Sequence, residues 1–178
     1  MGLRARLEAQ LARQLGHPAG VAGRMVARGL DRGNARLITE VVRGLESTPR
    51  TTLADVGFGG GLGLRLLLSA ADQPIVYGVE VSTAMIGRAQ TRFGDELAAG
   101  RLHLHRASIE QLPLADSSVD GVITVNTLYF VPELDRALGE LARVLTNSGR
   151  VVIGIGDPEA MVLHSRRMVL SVSAMVAR

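Results

Sequence analysis

The chain has 178 residues, of which 47% are hydrophobic and 21% charged, a balance typical of a folded domain rather than a disordered tail. It contains no cysteine, which excludes disulfide scaffolds, thiolate zinc sites and cysteine nucleophiles. The net charge is only +3, lysine is absent, and aromatic residues make up 3% of the chain, so basic and stacking residues do not alternate as in a single-strand nucleic-acid binder. We therefore expect no nucleic-acid partner.

The first 48 residues have helical periodicity and predict an N-terminal helical cap, residues 1–48. Arg4 to Leu15 places Leu7, Leu11 and Leu15 on one face, and further helical patterns follow around Met25 to Leu30 and from Asn34 to Leu45. The Leu stripe leaves a peripheral contact with a membrane open, although packing on the chain's own domain is the commoner role of such a stripe. The longest apolar run, Gly121 to Val131, is too short to span a bilayer, so we expect no transmembrane segment.

Residues 49–158 alternate short apolar runs with helical patterns, which predicts parallel strands joined by helices in a doubly wound α/β sheet. The strand-like runs are Thr52 to Val56, Ile75 to Val81, Leu102 to His105, Val119 to Val125 and Val151 to Ile155. The helical runs between them are Leu62 to Ala71, Thr83 to Ala99 and Pro132 to Leu145.

A glycine cluster follows the first predicted strand in the order Asp-x-Gly-x-Gly-x-Gly, with Asp55, Gly57, Gly59 and Gly61. Glycines at a strand-to-helix turn let a ligand approach the backbone, and the amides at the start of the helix favour polar ligands. Glu80 ends the second strand 23 residues beyond Gly57, where a carboxylate can accept from both ribose hydroxyls. The dehydrogenase pattern G-x-G-x-x-G does not fit, which disfavours a nucleotide-dependent oxidoreductase but leaves it as a third alternative.

These segments resemble the class I S-adenosylmethionine-dependent methyltransferases, in particular the branch acting on quinones, sterols and phospholipids. The motifs, in order, are Leu53 to Gly61, Val76 to Ser82, Ala107 to Asp120 and Leu138 to Gly154. The resemblance implies a Rossmann-like sheet with S-adenosyl-L-methionine as cofactor and a small-molecule acceptor.

By this resemblance, the cofactor-binding residues are Asp55, Gly57, Gly59, Gly61, Glu80, Val81, Ser108, Ile109 and Asn126. Asp55 and the glycines would hold the methionine end, Glu80 the ribose and Val81 the adenine. Ser108 stands where relatives often carry an Asp that accepts from the adenine amino group. Tyr129 and His17 are the candidate catalytic residues near the acceptor.

His103 and His105 share one face of the third predicted strand, but no third metal ligand accompanies them, and a solvated strand face is the simpler interpretation. We therefore expect no metal. The missing cysteines and the lack of a secretory signal pattern at the start predict a cytoplasmic location.

The resemblance implies two strands beyond the fifth, more than residues 159–178 can supply. The sequence therefore predicts a truncated C-terminus, a sheet without its last two strands, and an irregular or helical tail over residues 159–178. An exposed sheet edge could be covered in a homo-oligomer. The main prediction is a methyltransferase, and the alternative is a noncatalytic cofactor-binding domain or pseudoenzyme.

Overall fold

The computed structural model describes residues 34–45, 52–70, 73–156 and 167–173. Most of the predicted N-terminal cap, including its first two helices and His17, lies outside the described residues. A helix, α1, covers residues 34–43. Its apolar positions Leu37 and Val41, together with Leu45 just beyond it, are buried against the sheet, as their spacing predicts.

The described residues form six strands that pair in the order β3-β2-β1-β4-β5-β6. They are β1 (Thr52–Val56), β2 (Ile75–Glu80), β3 (Leu102–Arg106), β4 (Val119–Val125), β5 (Leu145–Gly156) and β6 (Arg167–Ser173). The first five run parallel, and β6 is antiparallel to β5. The predicted doubly wound α/β fold is confirmed.

The connecting helices are α2 (Leu62–Leu68), α3 (Thr83–Arg92), α4 (Gly94–Ala98) and α5 (Leu134–Val144), with a 3-10 turn at Leu128–Phe130. The helix predicted from Thr83 to Ala99 is interrupted at Phe93, a buried residue that is the C-cap of α3. The N-cap of α3 is Ser82, whose hydroxyl accepts from the Met85 N–H at 3.4 Å.

Two apolar layers cover the two faces of the sheet. One includes Leu37, Leu64 and Met85 from α1, α2 and α3. The other includes Ala137, Leu141 and Val144 from α5, together with the apolar residues of the loop after β3. Both faces of β1 and β4 are therefore buried, which explains their nearly continuous apolar sequences.

The prediction of an irregular or helical tail is wrong for Arg167–Ser173, which form β6 along the edge of β5. The sequence explains this, because Met168, Leu170 and Val172 alternate with smaller or polar residues at a period of two. β5 pairs with β4 along one edge only, so its other edge is available for pairing with an extended segment such as β6. No helix within the described segments has the length and apolar character needed to cross a bilayer.

Candidate functional site

A cavity of about 470 Å³ lies at the carboxyl ends of the parallel strands, between the loops that follow β1, β2, β3 and β4. β2, the next strand in the chain, pairs with one side of β1, and β4 pairs with its other side. This reversal of strand order opens a crevice between the loops, and open α/β sheets bind ligands at such a position. Asn34 and Ile38 of α1 also line the cavity.

The glycine loop after β1 adopts a conformation that favours glycine, with φ of 76° at Gly57, 50° at Gly59 and 82° at Gly61. A Cβ at Gly57 would overlap the side chain of Thr127, whereas a Cβ at Gly59 would meet no atom within 4 Å. Gly57 therefore permits close packing of two loops, and Gly59 leaves open space on the cavity side. Gly61 is the N-cap of α2 beside the Phe93 ring and is not among the cavity-lining residues.

Asp55 lines the cavity from the end of β1 and is only 4% exposed. One of its carboxylate oxygens lies against Gly63, where any Cβ would overlap it. The absence of a side chain at Gly63 therefore admits the carboxylate beside the first turn of α2, the end of a helix that favours negative charge.

Glu80 connects the end of β2 to the glycine loop. Its carboxylate is 8% exposed, and its two oxygens accept separate backbone N–H groups, those of Gly59 and Ser82, each at 3.0 Å. A carboxylate has about four acceptor sites, so these two bonds leave capacity for two further donors. A vicinal diol is a ligand that provides two such donors.

The loop after β3 contributes Ser108, Ile109 and Glu110 to the cavity. The Ser108 hydroxyl donates to Glu110 Oε2 at 3.1 Å and accepts from the Glu110 N–H at 3.2 Å. Glu110 Oε1 accepts from the Glu133 N–H at 3.0 Å, which ties this loop to the start of α5. Ile109 is buried, whereas Val81 is 40% exposed and offers an apolar surface beside Glu80.

The loop after β4 forms the opposite wall. Asn126 has a φ of 58°, and its Oδ1 accepts from the Gly156 N–H at 2.8 Å. The Tyr129 hydroxyl donates to the Gly156 carbonyl oxygen. Tyr129 and Phe130 are about half exposed, so their rings form an apolar rim at the cavity mouth.

The structure thus brings together eight of the nine predicted cofactor-binding residues and Tyr129, with Gly61 apart from them. His17 lies outside the part of the chain that is described. The prediction missed Thr127, Glu110 and the two α1 residues. Glu110 lies two residues from the predicted Ser108 and could have been found there, but contacts between distant loops leave no local pattern in the sequence.

His103 and His105 are not among the cavity-lining residues. Their rings stack on Tyr77, with centroids 5.2 Å and 5.9 Å from that of the Tyr77 ring. Partial burial and the nearby His103 both lower the pKa of His105. Among the described residues no group of three or more His, Asp or Glu side chains could hold a metal ion.

Hydrogen bonds from the backbone hold the carboxylates at the cavity. Glu80 and Glu110 both accept backbone N–H groups, and these hydrogen bonds fix the positions of the two carboxylates. A doubly wound sheet with a glycine turn after β1 and a buried carboxylate at the end of β2 defines an α/β domain for a ribose-containing cofactor.

The model of the methyltransferase domain family matches residues 54–153, and the chain belongs to this family.

Individual relatives agree with this family. An O-methyltransferase of Pyrenophora dematioidea is 30% identical over 133 residues, covering 71% of this chain and 49% of that protein. The demethylmenaquinone methyltransferase of Desulfitobacterium hafniense is 28% identical over 133 residues, covering 74% of this chain and 51% of that protein. The chain therefore spans about half the length of these curated relatives.

A solved structure, that of the 4+2 cyclase SpnF, superimposes with a TM-score of 0.58 at 27% identity. The alignment covers 67% of this chain and 44% of that one. The resemblance to methyltransferases drawn from the four motifs is confirmed at the level of family and fold.

Proposed function

We propose that the protein is an S-adenosylmethionine-dependent methyltransferase that acts on a small molecule. The observation that carries the proposal is the position of Glu80, whose carboxylate is buried at the cavity, bonded to the glycine loop, and still able to accept from two hydroxyls. Family membership supports the same activity.

The residues of the cavity fit this cofactor. Glu80 would accept from the ribose hydroxyls, Val81 and Ile109 would contact the adenine, and Asp55 with Gly57 and Gly59 would shape the pocket for the methionine end. Asn126 would border that end from the opposite wall. When bound, the cofactor supplies a methyl group on a sulfonium, which is already a good leaving group.

In-line methyl transfer requires positioning and exclusion of water more than acid–base catalysis. The rim formed by Tyr129 and Phe130 is suited to both tasks, because it is apolar and fixed through the bond from the Tyr129 hydroxyl to Gly156. Tyr129 and His17 remain the candidate residues on the acceptor side.

The experiment that tests the cofactor is calorimetric titration with S-adenosylhomocysteine, using NAD and NADP as control ligands. Two matched variants, Glu80→Gln and Glu96→Gln, remove the same charge inside the cavity and on α4. We expect S-adenosylhomocysteine to bind, and affinity to fall at least about tenfold in Glu80→Gln only, because a charge-assisted hydrogen bond is lost. Binding of NAD in place of S-adenosylhomocysteine would contradict the proposal and favour an oxidoreductase.

The proposed acceptor is an apolar small molecule, since the rim presents aromatic carbon. The names of two relatives agree with this class, one specifying methylation of oxygen and the other of demethylmenaquinone, a quinone. Incubation with radiolabelled S-adenosylmethionine and a set of phenols, hydroquinones and acidic controls tests this. Labelling only of acidic compounds would reject the apolar class.

The proposal includes a cytoplasmic location, since a chain without cysteine has none of the disulfides common in secreted domains. It also includes a peripheral contact with a membrane and assembly into a homo-oligomer. Cell fractionation, vesicle flotation and light scattering, respectively, measure these three properties.

A second candidate is a domain that binds the cofactor without transferring its methyl group. The similarity to SpnF supports it, because that protein is 27% identical to this chain and is named for cyclisation and not for methyl transfer. Binding of S-adenosylhomocysteine without label transfer to any acceptor would support this candidate over the methyltransferase.

A further inference from the structure

We propose that Asn126 and Tyr129 are positioning residues, which hold the acceptor side of the cavity in place by binding both polar backbone groups of Gly156. Tyr129 then acts through the position of its ring and not by giving or taking a proton during methyl transfer. The inference rests on the proposed function, since it concerns the acceptor of the proposed reaction.

The backbone ladder between β4 and β5 ends at the cavity. Its last pair is Val125 with Gly154, and the Asn126 N–H donates to the Gly154 carbonyl oxygen at 2.9 Å. The hydrogen bonds of a parallel ladder are evenly spaced. The next two would therefore join the Gly156 N–H to the backbone carbonyl of Asn126, and the Gly156 carbonyl to the N–H of Leu128.

The chain leaves the ladder at Asn126, where φ is 58°, a left-handed conformation that asparagine tolerates better than most residues. Two side chains bind the polar groups of Gly156 in place of the backbone. Asn126 Oδ1 accepts from the Gly156 N–H at 2.8 Å, and the Tyr129 hydroxyl donates to the Gly156 carbonyl oxygen. These two bonds, here named the side-chain rung, extend the ladder by one step.

The side-chain rung fixes the shape of the wall that an acceptor meets. The Gly156 N–H only donates, so the oxygen of the Asn126 amide faces it and not the nitrogen. A Cβ at Gly156 would lie 3.3 Å from that oxygen, closer than most such contacts, so glycine lets the amide approach. Asn126, Tyr129 and Gly156 all line the cavity.

The direction of the Tyr129 bond separates positioning from proton transfer. The hydroxyl proton is directed to a backbone carbonyl, which is too weak a base to take it up, while the half-exposed ring lies at the cavity mouth. Methyl transfer depends steeply on the alignment of the reacting atoms. A ring held in one place therefore contributes by orienting the acceptor.

The first test compares two variants that each lose one phenolic hydroxyl and keep the ring. Tyr129→Phe breaks the side-chain rung, and Tyr77→Phe is the matched control outside the cavity lining. With radiolabelled S-adenosylmethionine and the set of phenols and hydroquinones, we expect Tyr129→Phe to lower kcat about tenfold and to change the affinity for S-adenosylhomocysteine less than about twofold.

The dependence of kcat on pH distinguishes the two roles of Tyr129. The profile of Tyr129→Phe should keep its wild-type shape between about pH 6 and pH 10, because no group that transfers a proton has been removed. Loss of one limb of the profile would assign proton transfer to Tyr129 and overturn the inference.

The second test needs no acceptor. The chain has two tyrosines and no tryptophan, so Tyr129 is the only strong fluorophore once Tyr77 is replaced by phenylalanine. In this background, Asn126→Gly keeps the left-handed backbone and removes the amide, so the anisotropy of Tyr129 should show a larger rapid decay. Asn126→Asp retains an oxygen that accepts from Gly156 and should restore the slower decay.

The possible failures are distinct. If the chain does not bind S-adenosylhomocysteine, the proposed function and this inference both fall. If it binds but Tyr129→Phe has the same kcat as Tyr77→Phe, the inference alone is overturned. If no acceptor is labelled, the anisotropy decides, and equal decays with and without the amide overturn the inference. Thermal melting monitors folding, and Gly156→Ala, which crowds the same amide, replaces Asn126→Gly if that variant does not fold.

Discussion

Gly57 and Gly59 lie two residues apart in the same loop, yet their missing side chains serve different purposes. Both have positive φ, so an alanine at either position costs about 1 kcal/mol in backbone strain. At Gly57 the new methyl would also overlap Thr127, whereas at Gly59 it would project into open space. The fold requires the first glycine, whereas the second leaves open space in the cavity lining.

We therefore predict that Gly57→Ala lowers the free energy of unfolding by about 3 kcal/mol and Gly59→Ala by only about 1 kcal/mol. Among the folded variants, we expect the opposite order for the loss of ligand affinity. Relative to its loss of stability, Gly59→Ala should reduce the affinity for S-adenosylhomocysteine more than Gly57→Ala does. Urea unfolding and calorimetry measure the two quantities.

Thr127→Ala provides the control for this pair. Combined with Gly57→Ala it removes the overlapping hydroxyl and should restore part of the lost stability, but it should do nothing for Gly59→Ala. Equal losses of stability in the two glycine variants would show that packing against Thr127 does not determine the choice of Gly57.

Residues that line the cavity could be predicted from the sequence where the evidence is local. Asp55, Gly57 and Glu80 could be identified because each lies at the end of a strand with a recognisable pattern. Thr127 could not, because its role depends on the packing of the loops after β1 and β4, 70 residues apart in sequence. Gly61 shows the converse, a glycine that fits the motif but serves the N-terminus of α2.

Helix α5 contacts the loop after β3 mainly through the side chain of Arg143. Its guanidinium donates to the carbonyls of Leu112 and Leu114 at 3.0 Å and 2.9 Å, and to the side chains of Asp116 and Glu140. Glu140 in turn accepts from the Leu112 N–H at 2.7 Å. These bonds hold the segment from Leu112 to Asp116, which follows Ser108 and Glu110 in the same loop, against α5.

This connection predicts a specific dependence of stability on pH. The hydrogen bond from Arg143 lowers the pKa of the Glu140 carboxylate below its ordinary value of 4.5. The unfolded chain then binds more protons than the folded one as the pH falls, so the stabilisation is complete above about pH 4.5 and is lost as the pH drops through the lowered pKa.

Glu140→Gln should therefore cost about 1 kcal/mol at neutral pH and less in acid. The difference in free energy of unfolding between wild type and variant, measured in urea between about pH 3 and pH 7, should shrink toward low pH. Asp135→Asn, an exposed carboxylate on the first turn of α5, is the control. A constant difference across this range would refute the role of Arg143.

Among the elements, the five parallel strands followed from hydrophobic pattern, but some boundaries did not. The chain enters β5 directly from α5 at Leu145, although the apolar run predicts a strand only from Val151 to Ile155. A shift of register between Val119 and Gly121 accommodates the extra residues of β5. Such a bulge depends on the partner strand and has no signature in the sequence.

For the whole molecule, the order of the strands predicts where stability is concentrated. β1 and β4 lie in the middle of the sheet, paired on both sides and covered on both faces, whereas β3 and β6 are the outer strands of the described sheet. Local opening is least costly where fewest contacts are broken.

We predict that backbone amides of β1 and β4 exchange with deuterium only through global unfolding, and that those of β6 exchange much faster. Hydrogen exchange followed by mass spectrometry at several low urea concentrations separates the two classes. Protection of β6 equal to that of β4 would mean that another segment or a second chain covers its outer edge.

The bond between Gly59 and Glu80 has a consequence for the kinetics of binding. The loop and the carboxylate are joined by the chain's own hydrogen bond, so the conformational entropy of ordering them is lost during folding and not during association. A ligand then meets a receptor whose polar groups already have their final spacing. Its association rate should be governed by diffusion and orientation, and differences in affinity among related ligands should arise chiefly from their rates of departure.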